Sequence, residues 1–222
     1  MKIVQIYFDD SQRGGLDYVP FRNDDCTVYF ESSVIRSLVE AGAHVGHDYF
    51  GVVSHQLRSK LEYTRQWPSE IANLSTRPFS PEAFQAEVQR LAPDAMSFQT
   101  HRAHDPISTA DQFHPGFSGY FRHVMTAIGY PWTPVVFQHV FYFNYFVAKG
   151  AIYERYVAEM LAPAMAVMDQ MPELMQDSRY PHPLPPHLQA RFGIPFYPYH
   201  SFLCERFFSY FAHVHGLSCA HY

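Results

Sequence analysis

A chain of 222 residues with a formal net charge of −5 lacks the basic field that would favour nucleic acid or an anionic membrane surface. Its length suits one domain with a sizeable core, so residues 1–222 are expected to form a single unit. No apolar run reaches the roughly 18 residues needed to cross a bilayer, and the opening MKIVQIYFDD reads as a strand rather than a signal peptide. Cys26, Cys204 and Cys219 have no metal or redox spacing, and their odd number fits a reducing, cytoplasmic setting.

Residues 2–8 are rich in β-formers and end at Asp9 and Asp10, followed by turn-forming residues 11–15. Acids at the carboxyl end of a first strand are placed to touch a ribose or a base; the alternative is that they cap the turn. Residues 13–26 form a polar loop with Asn23, Asp24 and Asp25, suited to a sugar hydroxyl or a metal, or simply solvated. In residues 28–41, Phe30, Val34, Leu38 and Ala41 share one helical face. Glu31 stands near the start of that helix, where its carboxylate complements the helix dipole.

Residues 49–54 predict a second strand that delivers His55 and Arg58 to the following turn, where cations suit a diphosphate. Residues 60–73 suggest a helix with Trp67, broken at Pro68, and Ser80 and Pro81 open another that runs to Leu91. Residues 93–98 read as a third strand. His101, His104, Asp105, Asp111 and His114 follow closely; such side chains can ligate zinc or iron, although Pro106 prevents one helix from carrying them all. A helix is expected from His114 to about Ile128.

Residues 135–147 are almost wholly apolar and read as a buried strand interrupted by the amide of Asn144. Beyond Gly150, Ile152, Tyr156, Met160 and Ala164 recur at intervals of four, the mark of an apolar helical face. Asn144 would therefore sit where open α/β sheets bind ligands, or else satisfy loop backbone. Residues 171–199 are rich in proline and read as an irregular wrapped segment, because Phe192, Ile194, Phe196 and Tyr197 need burial. The last helix, SFLCERFFSYFAHVHG, places Glu205 and Arg206 among apolar neighbours, where a charge must be paired. Together these elements predict an α/β fold with a mixed, mostly parallel sheet flanked by helices.

The order of pieces resembles a family of small bacterial glycosyltransferase-like proteins associated with capsule and surface-polysaccharide synthesis. The matching pieces are Asn23-Asp24-Asp25, Glu31, Tyr49-Phe50-Gly51 with His55 and Arg58, Asn144-Tyr145-Phe146 with Tyr156 and Leu161-Ala162-Pro163, and Phe202-Leu203-Cys204-Glu205-Arg206. The turn Ser54-His55-Gln56-Leu57-Arg58 departs from the family's pattern, in which a Tyr and a further basic residue follow the His.

The resemblance implies a GT-A-like fold, a nucleotide-sugar donor and a glycan or lipid-linked acceptor. Many GT-A enzymes hold Mg or Mn on an Asp-x-Asp motif; here Asp9-Asp10 and Asp24-Asp25 are adjacent pairs and Asp94 stands alone. His55 and Arg58 are therefore expected to meet the diphosphate, and scattered acids holding a cation are the alternative. Asp9 and Asp10 would contact the nucleoside, Asn144 and Glu31 would orient the sugar, and Glu205 and Arg206 would reach toward the donor. Asp111 or His114 would serve as base on the acceptor side. The competing readings are a metal-dependent hydrolase or oxygenase built on residues 101–114, and a binding subunit without turnover.

Overall fold

The computed structural model describes residues 1–13, 16, 18–76 and 78–222. Gly14 and Gly15 of the expected turn, and Asp17 of the polar loop, lie outside them. The protein is an α/β fold on one six-stranded sheet, whose strands are β1 (Lys2–Tyr7), β2 (Val19–Arg22), β3 (Tyr49–Ser54), β4 (Ala95–Ser97), β5 (Phe146–Lys149) and β6 (Cys219–His221). Their order is β2-β1-β3-β5-β4-β6. β5 runs against both its neighbours and the other pairings are parallel. Because β5 is reversed, its first residues stand at the same edge as the carboxyl ends of β3 and β4: Gly51 pairs with Val147, and Ser97 with Phe146.

Side chains alternate across this sheet with the period of two that extended backbone imposes. Val4, Ile6, Phe50, Val52, Phe146 and Ala148 point to one face; Ile3, Tyr49, Val53, Tyr145 and Val147 point to the other. The first face is covered by α1 (Glu31–Glu40), the α6 (Gly150–Tyr156) and α7 (Ala162–Met168) pair, and α9 (Tyr199–Val214), with α5 (Phe117–Ala127) in the same core. The second is covered by α2 (Leu57–Tyr63) and α3 (Pro81–Leu91), through Leu57, Leu61, Phe84 and Val88. Two short helices, α4 (Pro106–Ala110) and α8 (Pro186–Phe192), complete the set at the periphery. No described helix is long and apolar enough to cross a membrane.

Local chemistry explains most boundaries. Ser80 accepts from the amide of Ala83, and Pro81 opens α3 where its missing N–H costs nothing. Asp105 does the same for α4 through the amides of Ile107 and Ser108. Between α6 and α7 the chain widens into a π turn, Val157–Leu161. Pro163 comes two residues after the turn ends, and a wider turn accommodates a residue that has no N–H to give and whose ring crowds the preceding turn.

The expected strand over residues 135–147 is corrected: only Phe146–Lys149 pairs in the sheet, and the residues before it are irregular chain, exposed at Val135 and Val136 and buried from Val140 to Tyr142. Phe141, Tyr142 and Tyr145 supply core packing in that stretch without a ladder, which is why its composition resembles a strand. The helix expected over residues 60–73 is shorter and earlier, ending as a 3-10 turn at Gln66 before Trp67-Pro68. Gly51 is required by close approach. A Cβ there would lie 2.7 Å from Cγ1 of Val147 and 3.0 Å from the carbonyl oxygen of Phe146. Gly51→Ala is expected to destabilise the fold by about 1–3 kcal/mol, read as a lower urea midpoint.

Candidate functional site

At the edge where β1 and β3 end and β5 begins lies one crevice with two chambers. The smaller, about 190 Å³, is framed by Phe8, Phe30, Glu31, His55, Lys60 and Tyr197. The larger, about 710 Å³, is walled by Trp67, Tyr142, His114, Arg179 and Arg206 among others. Phe143, Tyr180, Phe202 and Glu205 line both chambers and so stand where the two adjoin. The larger volume lies in the range of pockets that hold small organic ligands.

Strain is concentrated here. Among the described residues, the non-glycines with positive φ are Phe30, Ala92, Phe143, Asn144 and Arg179. All but Ala92 line this crevice or adjoin it. Left-handed backbone at such residues costs of order 1–3 kcal/mol each and persists only where the surroundings impose it, most often at ligand sites. Phe30, which opens α1 with φ 49°, is held by a stacked contact with Tyr197 at 5.6 Å and an edge contact with Phe192 at 6.0 Å.

The charge pattern is compact. Lys60 lies in α2 three residues beyond buried Leu57, on the same side of the helix, and its ammonium is 4.5 Å from the centre of the Phe143 ring. Burial alone would pull its pKa down, but the acid groups of Tyr145, Glu31 and Glu205 around it push it above its ordinary value, so it stays charged. Glu205 pairs with Arg206 at 2.7 Å, with both side chains largely buried. Burial raises the Glu205 carboxyl above the usual range, against the opposing pull of Arg206 and Lys60. Arg206 in turn lies 4.9 Å from the centre of the Tyr142 ring and 5.6 Å from that of Phe117. Two cations thus face two carboxylates across an aromatic-walled space.

The residues singled out in the sequence separate into two groups. Glu31, His55, His114, Glu205 and Arg206 line the crevice. His55 does not supply the expected positive charge: burial lowers its pKa more than Glu31 raises it, so the ring is neutral near pH 7. His114 is likewise neutral, with burial holding its pKa at about 4; its Nδ1 bonds to the carbonyl of Ser178 and its ring stacks on Phe202 at 4.1 Å.

Arg58 is a correction, because its side chain is exposed on the outer face of α2 and lines neither chamber. Arg58→Ala is expected to leave ligand-induced stabilisation unchanged and to alter stability by less than about 0.5 kcal/mol, measured by thermal denaturation with and without ligand.

Asp9, Asp10, Asp111 and Asn144 are corrections of the same kind. Asp9 accepts from the amide and hydroxyl of Ser11 in a capping box, and exposed Asp10 lies 3.5 Å from Arg22. Phe8 and Gln12 reach the small chamber from that turn instead. Asp111 accepts from the amide of Ser118 and so caps α5. Asn144 is buried beneath the crevice, where its amide donates to Ser32 Oγ at 3.1 Å and ties the start of β5 to α1.

The side chains of the competing metal reading, residues 101–114, have other partners. His101 bonds the carbonyl of Ile71 and Gln99, His104 bonds the carbonyl of Arg102 and the hydroxyl of Tyr142, and Asp105 caps α4. Among the described residues no group of three or more His, Cys, Asp and Glu side chains is arranged to hold a metal ion. Asp24 bonds Arg22 at 2.7 Å and Asp25 lies 3.9 Å from Arg191, so these acids are not gathered around a cation such as Mg or Mn either.

Sequence reasoning missed Lys60, Tyr142, Tyr180 and Tyr197. For Lys60 a signal existed: a lysine at the inward spacing of an amphipathic helix. Compared with known proteins, the chain matches no family model, no curated protein and no solved structure.

Proposed function

We propose that the protein transfers a glycosyl unit from a nucleotide-sugar donor to an acceptor hydroxyl, in the assembly of a surface polysaccharide. The observation that carries this reading is a pair of adjacent chambers that share Glu205: a small one that holds Glu31 and Lys60 among aromatic rings, and a large aromatic one, at the carboxyl edge of the sheet. The small chamber suits a sugar ring, with Glu31 and Glu205 as acceptors for its hydroxyls and Lys60 as donor. The large chamber suits a nucleoside, which would stack on its rings. Arg206 lines the large chamber and Lys60 the small one, and both would offset the charge that grows on a diphosphate lying between them as the glycosidic bond breaks. The acids that would hold Mg or Mn on the alternative reading bond Ser11, Arg22 and Arg191, so in this reading Lys60 and Arg206 carry the positive charge.

The test is a thermal-shift panel of nucleotide-sugars followed by measurement of nucleoside diphosphate release. A bound donor at one hundred times its Kd should raise Tm by roughly 5–10 °C for a domain of this size. Release that is accelerated by a glycan or lipid-linked acceptor supports transfer. Binding without release, across all acceptors tried, would make the protein a binding subunit. A panel with no shift at all removes the proposal.

A further inference from the structure

Two hydrogen-bond donors on the small chamber have no acceptor among the described residues. The first is Ser54, at the carboxyl end of β3. Its hydroxyl lies 2.5 Å from that of Tyr145, and the amide of Gln56 donates to its oxygen at 3.3 Å. Tyr145 is fully buried, and Ser54 is the one described partner its phenol has. Burial pushes the phenol's pKa up to about 12, so it keeps its proton near pH 7. A buried O–H that made no hydrogen bond would be costly, so Tyr145 donates and Ser54 accepts. A serine oxygen has two lone pairs, and the phenol and the Gln56 amide take both. Ser54's own proton is left over. Ser54 is 2% exposed and lines the small chamber, so that proton is available only to what occupies the chamber.

The second donor is Lys60. Its ammonium makes no hydrogen bond or ion pair with a described residue, and it lies over the rings of Phe143 at 4.5 Å and Tyr145 at 5.7 Å. Tyr145 is therefore the neighbour that both donors share. An oxygen that only accepts, and that carries negative charge, satisfies a hydroxyl proton and an ammonium together. A phosphate oxygen does this, whereas a sugar hydroxyl brings a proton of its own.

We infer that Ser54 is a further ligand-binding residue: with Lys60 it holds a phosphate oxygen in the small chamber, and Tyr145 is the positioning residue that fixes the direction of its hydroxyl. Identifying that phosphate with the diphosphate of a nucleotide-sugar rests on the transferase reading; the anion subsite itself does not. The phosphate lies against the end of β3 and α2, which leaves Glu31 on α1 to the hydroxyls of the sugar. With its lone pairs filled from behind, Ser54 cannot turn to accept, so the subsite disfavours a ligand group that must donate.

The experiment measures binding of inorganic pyrophosphate, and of whichever nucleotide-sugar stabilises the wild type, by calorimetry on the full chain. Ser54→Ala should raise both Kd values by about 10–100-fold, the loss of a hydrogen bond to a charged group. It should also lower the unfolding midpoint, because the Tyr145 proton is left without an acceptor. Tyr145→Phe should raise both Kd values by about 2–10-fold, since the Ser54 hydroxyl is kept but is free to turn. The double variant Ser54→Ala/Tyr145→Phe separates binding from folding. It strands no buried donor, so stability should recover toward that of Tyr145→Phe while binding stays as weak as in Ser54→Ala. If Ser54→Ala does not fold, the double variant decides by the same criteria. Kd values within twofold of wild type, with stability alone reduced, make the Ser54–Tyr145 bond structural and overturn the proposal. Weakening confined to the nucleotide-sugar, with pyrophosphate bound as before, also overturns it, because the hydroxyl then meets the sugar. Pyrophosphate binding that depends on Ser54, with no nucleotide-sugar bound, keeps the subsite and removes the transferase. Nucleotide-sugar turnover without pyrophosphate binding does the reverse, and a wild type that binds neither overturns both.

Discussion

On the proposed transferase reading, Lys60→Met should lower donor turnover by about 10²–10³-fold, the cost of removing one preorganised cation from a site of developing negative charge. The substitution keeps the length and apolar stem of the side chain, so the contact with Phe143 is largely preserved. What disappears is the ammonium that faces both Glu31 and Glu205. Without it the two carboxylates repel each other and disfavour any anionic donor, so binding should weaken along with turnover. Kinetics of nucleoside diphosphate release across a donor titration separates the two effects. A variant that folds normally and turns over at the wild-type rate would remove Lys60 from the site.

Phe208→Ala should destabilise the fold by about 3–5 kcal/mol. Phe208 is fully buried on α9 and stacks on Phe146 of β5 with ring centres 3.7 Å apart. Phe141, Tyr156 and Phe211 surround it at 5.0, 5.1 and 6.2 Å, so few neighbours can collapse into the space left behind. Urea denaturation should show a lower midpoint with an unchanged slope. A loss under about 1 kcal/mol would mean that α9 is held chiefly by its other contacts.

Much of the architecture was legible because periodicity reports burial. Residues 49–54 alternate into two cores and form β3 as expected, and the apolar recurrence after Gly150 marks the α6 and α7 pair. β2 and β6 were not legible: β2 is a mostly exposed edge strand and β6 is only three residues long, so neither carries an apolar run. The candidate site was legible where charge met apolar surroundings, as at Glu205-Arg206. It was misread at Arg58, because a strand-end position says that a residue is near the rim but not which way a helical side chain turns. Lys60, two positions later, turns inward on the same helix. Asn144 was placed on the right edge but one layer too high, since an amide that secures the rim from below leaves the same sequence signal as one that meets a ligand.

The reversed strand at the middle of the sheet also governs how the chain can fold. β5 lies between β3 and β4, and its pairings, Tyr49 with Lys149 and Ala95 with Ala148, join residues far apart along the chain. On a ribosome the halves of the sheet therefore wait, edge bare, until the intervening helices have emerged and the keystone strand arrives. Such long-range closure makes for slow folding, in the range of milliseconds to seconds, and leaves β3 and β4 exposed to mispairing in the interval.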